Sequence, residues 1–213
     1  GVVKRQPLKV VRDPEWRASI GLLVGVSLMI VALLWFKGHS ADLADIIRMS
    51  LFNVISIGST TGYATVDYTQ WPVFAPIVMI MLSGVATSAG STGAGIKMAR
   101  LVILVKQARR EMRAIIHPRA VQPVTLAGHP VDNRTIFSVL GFMLMYGGTI
   151  IVLTLLLLLT DMPFETAFSA VVASVNNMGP GLNEVGPAGN YASLSATQLW
   201  ICTLAMLLGR LEI

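Results

Sequence analysis

Two short stretches place a glycine where main-chain oxygens could act as ligands. Ser59, Thr60, Thr61, Gly62, Tyr63, Ala64 and Asn176, Asn177, Met178, Gly179, Pro180, Gly181 each follow an amphipathic run too short to cross a bilayer. A dehydrated monovalent cation needs a ring of carbonyls in place of its water, carried on an extended strand whose oxygens aim at one axis. Glycine eases that geometry where a side chain would clash or where φ turns positive. Thr60, Thr61, Gly62 and Tyr63 suit it, with hydroxyls and a ring available to pack behind the strand. Asn177, Met178, Gly179 and Pro180 keep the glycine and change the rest, which main-chain ligation tolerates. For either loop alone, a glycine that merely permits a tight turn is the ordinary alternative. Two such loops at matched places favour a carbonyl filter.

The elements that must position these loops occur twice. Each half reads as a long apolar span, an outer segment, a short amphipathic stretch, the glycine loop and a second span. The short stretches cover about 40–57 and 161–175, and an offset of 117 residues sets Gly62 on Gly179. Met81, Leu82, Ser83 and Gly84 also correspond to Met206, Leu207, Leu208 and Gly209 near the ends of the second spans. Ser40 with Asp42, and Asp161 ahead of Pro163 and Glu165, are helix-start signals. Each short helix is expected to begin outside and point its partially negative C-terminus inward, toward a cation. The chain must then turn back at membrane depth, where irregular backbone survives only against protein or a wet cavity. The expected fold is all-α and integral to the membrane: two tandem repeats of span, re-entrant pore helix and span.

Composition agrees, since 54% of the 213 residues are hydrophobic and only 13% are charged. The apolar residues are gathered in runs at 18–36, 72–89, 136–159 and 196–209, all counted as spanning, although the second meets a Gly-rich break and the last meets Arg210. The formal charge of +5 would suit nucleic acid if it were spread, but thirteen of the sixteen Lys and Arg fall at 1–17 and 97–134. By the positive-inside rule those segments are cytoplasmic, which places 37–71 and 160–195 outside. Nucleic acid is therefore not an expected partner; the lipid bilayer is. Asp42, Asp45, Asp67, Asp161, Glu165 and Glu184 on the outer segments would concentrate cations at a mouth. The expected organisation is a cytoplasmic segment at 1–17, a first repeat at 18–96 with a broken second span, a basic cytoplasmic connector at 97–134 and a second repeat at 135–213. The run at 18–36 is too long for a signal-peptide h-region. A start at Gly1 and a stop just after an apolar run are expected of a piece of a longer chain.

Ser59 to Ala64 with Trp71 and Pro72, the run AGSTGAGIK from Ala89 to Lys97, NNMGPG from Asn176 to Gly181, and Leu208, Gly209, Arg210, Leu211, Glu212 together resemble the Trk/Ktr/HKT superfamily of potassium transporters. Within it the resemblance is to TrkH-type bacterial subunits, and it covers essentially the whole chain. It implies four span, pore-helix, span repeats around one pore, of which these are the third and fourth, the other two belonging to a missing N-terminal half. It further implies potassium uptake across the bacterial cytoplasmic (inner) membrane. Thr60, Thr61, Gly62, Tyr63, Asn177, Met178, Gly179 and Pro180 would form filter walls, with potassium held through the carbonyls of Thr61, Gly62, Met178 and Gly179. Potassium is the transported substrate and no organic cofactor is expected. A homodimer and a nucleotide-binding cytoplasmic regulatory subunit are the implied protein partners.

Residues 84–95 (GVATSAGSTGAG) interrupt an apolar span with small residues, which would let the helix unwind into a gate beneath the filter. Gly84, Gly90, Ser91, Thr92, Gly93, Gly95 and Lys97 are its candidate residues, a role the resemblance supports. Close helix packing is the alternative. A phosphate-binding loop fails, because Ile96 separates Gly95 from Lys97, Met98 replaces the hydroxyl residue and no strand precedes it. Arg210 is a charge far inside an apolar run, expected to face the protein interior or a water-filled path. The resemblance places such an arginine near the pore.

His39, His117 and His129 are far apart and lack companion ligands. Cys202 is a packing residue. No enzymatic site is expected: a buried serine such as Ser88 or Ser91 has no histidine in any span to activate it. A sodium or mixed-cation transporter and an ion-coupled symporter with broken helices remain competing readings. A non-conducting anchor is the bland one.

Overall fold

The computed structural model describes residues 13–38, 41–87, 94–117, 123–126 and 129–211. The first helix, α1 (Pro14–Phe36, 23 residues), starts four residues before the expected span. Asp13 explains this, because its side chain accepts from the Glu15 N–H at 2.9 Å while Pro14 occupies the first turn. Arg17 thus belongs to the helix and not to a polar leader.

In the second helix, α2 (Leu43–Gly58), Asp42 holds the N-cap position without a side-chain hydrogen bond, and Ser40 lies outside the described residues. A short helical turn at Tyr68–Gln70 leads to α3 (Phe74–Ser83), which has only 10 residues. At ~1.5 Å per residue α3 covers about 15 Å, half of a ~30 Å hydrocarbon core, so it does not span alone as expected. It stops where Gly84 takes the C-cap. The chain resumes as α4 (Met98–Ile116), a 19-residue helix inside what was expected to be the basic connector. Met98 and Ile103 are buried, and the helix packs on α1 and on the next long helix.

A two-residue antiparallel pair follows, β1 (Thr125–Leu126) against β2 (His129–Pro130), with Thr125 opposite Pro130. The fold is therefore mostly helical and not strictly all-α. The pair is held to α4 by the Lys106 ammonium, which donates to the Thr125 carbonyl at 2.6 Å.

The long helix α5 (Asn133–Leu158, 26 residues) opens the second half. Next come α6 (Phe164–Val175), short turns at Asn183–Val185 and Tyr191–Ser193, and α7 (Ala196–Leu211). Asp161 was expected to cap α6, but Pro163 holds that position. Asp161 instead sits at φ 59° and donates its N–H to the Leu158 carbonyl, finishing α5. Short polar side chains tolerate this left-handed conformation better than most.

Two main cores form. Ile30 and Leu34 of α1, Ile46, Val54 and Ile57 of α2, and Met79 of α3 form the first, joined by Val172, Ala173 and Met178 from the second half. Leu153 and Leu157 of α5, Ala167, Ala170, Val171 and Val175 of α6, and Cys202 and Ala205 of α7 form the second. Among the described residues only α1 and α5 are long and apolar enough to cross a membrane, and 17% of the most apolar window of each is buried within the chain. Leu28, Phe36, Leu144 and Leu159 stand on the uncovered sides, which call for an apolar surrounding.

At Gly209 backbone meets backbone: a Cβ added there on α7 would lie 1.8 Å from the Val175 carbonyl oxygen of α6. Gly209→Ala is expected to push α7 off α6 and lower the melting temperature of the detergent-solubilised full-length protein. Gly21→Ala, whose Cβ would meet nothing within 4 Å, is expected to leave it unchanged or raise it slightly.

Candidate functional site

The short helices α2 and α6 end in the same way. Thr61 N–H reaches the Ser56 carbonyl at 2.8 Å and Thr60 N–H the Ile57 carbonyl at 3.0 Å. At an offset of 117, Met178 N–H reaches Ala173 at 2.9 Å and Asn177 N–H reaches Ser174 at 3.0 Å. These paired bonds are a Schellman ending, which requires a left-handed residue between them. Thr60 (φ 57°) and Asn177 (φ 52°) supply it, and Gly62 (φ 81°) and Gly179 (φ 105°) follow two residues later. Asn visits this region readily, whereas a β-branched Thr does so only where its surroundings force it.

The strand leaving each loop is tied back to its own helix. Asn53 of α2 accepts the Thr65 N–H at 3.2 Å and donates to the Thr65 hydroxyl at 3.0 Å. Ser169 of α6 accepts the Leu182 N–H at 2.9 Å, and Leu182 is the counterpart of Thr65. Neither tether was foreseen, because a lone Asn or Ser on an apolar helix has no distinguishing pattern in sequence.

The two loops meet. A Cβ on Gly62 would lie 2.2 Å from the Met178 carbonyl oxygen, so Gly62 is required by contact as well as by φ. Gly179 has nothing within 4 Å of that position and is required by φ alone. Both line an open cleft of about 420 Å³ with Tyr63, Pro180, Tyr191 and Met206. Met178 is buried and packs into the first half's core, which keeps its bulk away from the cleft. Tyr63 was expected to pack behind the strand but is 72% exposed. Behind the first loop the Ser59 and Thr61 hydroxyls share a 2.8 Å hydrogen bond instead. Tyr191 was also unforeseen; its hydroxyl donates to the Gly179 carbonyl at 2.9 Å.

The family model described as TrkH, cation transport protein, matches residues 23–213. The chain belongs to the TrkH family. It is 35% identical over 202 residues to the Trk system potassium uptake protein TrkH of Salmonella typhimurium, covering 95% of this chain and 41% of that protein. It is 37% identical over 203 residues to the TrkH of Vibrio parahaemolyticus, with the same coverage of each. The crystal structure of the potassium transporter TrkH from Vibrio parahaemolyticus superposes with a TM-score of 0.88 at 38% identity, over 96% of this chain and 43% of that one. The chain thus spans about two fifths of the length of the curated relatives it matches.

Of the residues expected to form a gate in this TrkH-family chain, Gly90, Ser91, Thr92 and Gly93 lie outside the described residues, as does Ser88. The two edges of the break are described, and they are clamped together. Ile96 N–H donates to the Gly84 carbonyl at 2.7 Å, and Met98 N–H to the Thr87 carbonyl at 2.8 Å. Lys97 is buried at φ 64° and immediately precedes α4. Arg210 lies exposed in the last turn of α7, directly after the glycine that touches Val175. His117 and His129 are exposed. Cys202 is a buried packing residue of the second core.

The unequal ease of the two left-handed positions gives a prediction. Thr60→Gly is expected to stabilise the full-length protein by roughly 1 kcal/mol, by relieving a β-branched residue at positive φ. Asn177→Gly should gain less or lose, because Asn tolerates the conformation and its side chain donates to the Met206 carbonyl at 3.3 Å. Thermal melts of the two variants test this ordering.

Proposed function

We propose that the chain forms the third and fourth quarters of a potassium uptake pore in the bacterial cytoplasmic membrane, with Gly62 and Gly179 at the filter. One observation carries the reading: two loops of different sequence share one backbone conformation and face one cleft. If side chains were the ligands, the change from Thr-Thr-Gly-Tyr to Asn-Met-Gly-Pro would have changed the site. Main-chain oxygens leave it intact. The names of the similar proteins, all Trk potassium uptake proteins, agree.

Helices α2 and α6, of 16 and 12 residues, reach about 24 and 18 Å and fall short of a ~30 Å core. They act as re-entrant pore helices, entering from the outer side and ending at the cleft with their partial negative charge toward the ion. The carbonyls of Thr61, Gly62, Met178 and Gly179 replace the water of potassium, helped by those of Thr60, Tyr63, Asn177 and Pro180. Tyr191, itself on the cleft wall, holds the Gly179 carbonyl through its hydroxyl. The α3–α4 break gates the path beneath, and Arg210 faces it. The missing N-terminal half closes the ring with two further quarters, so this chain alone does not conduct. The basic face of α4 and the 97–134 segment lie on the cytoplasmic side, where anionic headgroups and a nucleotide-binding regulatory subunit would dock. The complete subunit works as a homodimer.

In the complete protein, expressed in cells lacking other potassium uptake, Gly62→Ala and Gly179→Ala are each expected to cut potassium-dependent growth and rubidium uptake at least about tenfold, the cost of one misplaced ligand ring. Wild-type uptake by both variants would remove the filter assignment. Replacing residues 88–93 by a two-glycine link is expected to raise uptake, and unchanged or lower uptake in stably inserted protein removes the gate.

Asp67 offers a pH test at the mouth. The Thr69 hydroxyl, aided by the Thr69 N–H and the Gln70 amide, holds its carboxyl below the ordinary range against partial burial. The group is therefore charged at all pH values above that lowered value, and its attraction for cations is lost only as pH falls through it. Asp67→Asn should raise the KM for potassium at low ionic strength by the same factor from pH 8 to pH 5. The effect should fade as salt approaches about 0.15 M.

A further inference from the structure

Halfway along α4 one side of the helix changes character. Met98, Leu101, Val102 and Val105 occupy its first half, and Lys106, Arg109, Arg110 and Arg113 follow at spacings of three, four and seven, which keeps them together on that side. Two cavities meet at the change. A groove of about 300 Å³ runs between α1 and α4, walled by Ala18 and Leu22 of the first and Leu101, Val102 and Val105 of the second, and also lined by Lys106 and Arg109. A basic pocket of about 190 Å³ lies between α4 and the chain entering β1, lined by Arg110, Arg113, Pro123, Val124 and the same Lys106 and Arg109. These two shared side chains join an apolar slot to a cationic one.

The pocket is built into the fold. Val124 is buried against Ile103 of α4 and Ile136 of α5, which fixes one wall. Lys106 is half-buried and gives the Thr125 carbonyl one of the three donors of an ammonium, so two remain for another acceptor. Arg109 makes no hydrogen bond or ion pair among the described residues. Arg110 lies 3.3 Å from Asn133 Oδ1 and 3.6 Å from the Glu111 carboxylate. Glu111 is the one acidic residue of α4, accepts from the Gln107 amide at 2.6 Å and lines neither cavity. The pocket therefore keeps a strong positive bias.

A free phosphate would use the pocket and leave the groove uncovered, whereas an apolar molecule would leave the cations unmet. One molecule with an acyl chain joined to a phosphate satisfies both. The level is also right, because Ala18 lies one turn inside the start of α1 and Arg109 two turns before the end of α4. Those are the ends that the pore reading places at the cytoplasmic surface.

We propose that the groove and the pocket together hold one anionic phospholipid of the cytoplasmic leaflet, an acyl chain between α1 and α4 and the phosphate on Lys106 and Arg109. The choice of leaflet rests on the pore reading above. The phosphate oxygens accept charge-assisted hydrogen bonds from both side chains. The acyl chain covers Leu22, which the protein leaves half-buried, and Val105, which it leaves exposed.

The test uses the complete protein purified in detergent and titrated with phosphatidylglycerol in mixed micelles, with bound lipid counted by native mass spectrometry. One phosphatidylglycerol per subunit is expected to stay bound under conditions that strip phosphatidylcholine of the same chain length. Arg109→Gln is expected to weaken binding roughly fivefold, the worth of one basic residue beside an anionic headgroup, and Arg109→Lys to keep most of it. Val105→Trp, whose larger side chain occupies the groove, should weaken binding with every cation still in place. Arg48→Gln, which removes an exposed arginine of α2, should bind like wild type. Glycerophosphoglycerol, the same headgroup without chains, should not displace the lipid at equal concentration. Equal retention of the two lipids, or wild-type binding by either Arg109→Gln or Val105→Trp, overturns the site. Full displacement by glycerophosphoglycerol or inorganic phosphate makes it a phosphate pocket and overturns the lipid. Loss of the regulatory subunit from Arg109→Gln with lipid binding unchanged assigns the surface to a protein partner and overturns it as well. Rubidium uptake by Gly62→Ala in cells judges the pore reading separately. Wild-type uptake there, with lipid binding as expected, removes the pore and keeps the lipid site; lost uptake, with lipid binding equal in all variants, removes only the site.

Discussion

Ending a helix away from water is the constraint on which the rest of this chain depends. An apolar surrounding offers no water to the last carbonyls of a helix, so each must be met by protein. The Schellman endings of α2 and α6 do this with their own next residues, Thr60–Thr61 and Asn177–Met178. Gly62 comes where it does because the turn back brings it against the Met178 carbonyl, and Gly179 because its φ is positive.

The same demand for internal partners runs through α1, α5 and α7. The hydroxyls of Ser27, Thr149 and Thr203 each donate to a carbonyl one turn back, at 2.7 to 2.8 Å. They add no interhelical bond and are compatible with a lipid-facing helix. Asn53 and Ser169 also donate to carbonyls of their own helix, Met49 and Thr166, but they and Asn176 each reach a neighbouring segment as well. All three lie on, or at the end of, the short helices. The polar interior is thus concentrated where irregular backbone has to be held.

Two equivalent halves have diverged in what lies beside each loop. In the first half α2 packs on α1 and α3, and a Cβ on its last residue, Gly58, would come nearest the side chains of Leu23 and Leu82. In the second, the end of α6 is wedged between Gly209 on one side and the α3 break on the other. Gly62 reaches across to Met178, and Met178 packs into the first half's core. A displacement of either edge of the break would therefore be felt at the second loop before the first.

Much of this was legible in the chain itself. The long apolar runs, the twofold order of elements and the 117-residue offset follow from hydropathy and glycine placement, since span length and turn chemistry are local properties. The helix starts at Pro14 and Phe164, the early stop of α3 and the helical α4 did not follow, because a cap or break is decided by which backbone groups find partners. Tyr63 was misjudged for a similar reason: its surroundings are other segments of the protein, not its sequence neighbours. By itself the sequence determined which stretches are apolar and where φ can turn positive, because those depend on single residues. Only the tertiary structure decided that Gly62 touches Met178, that Tyr191 holds Gly179 and that Asn176 joins Tyr146 to Ser83. Those are contacts between residues 12 to 116 positions apart, and no local pattern encodes them.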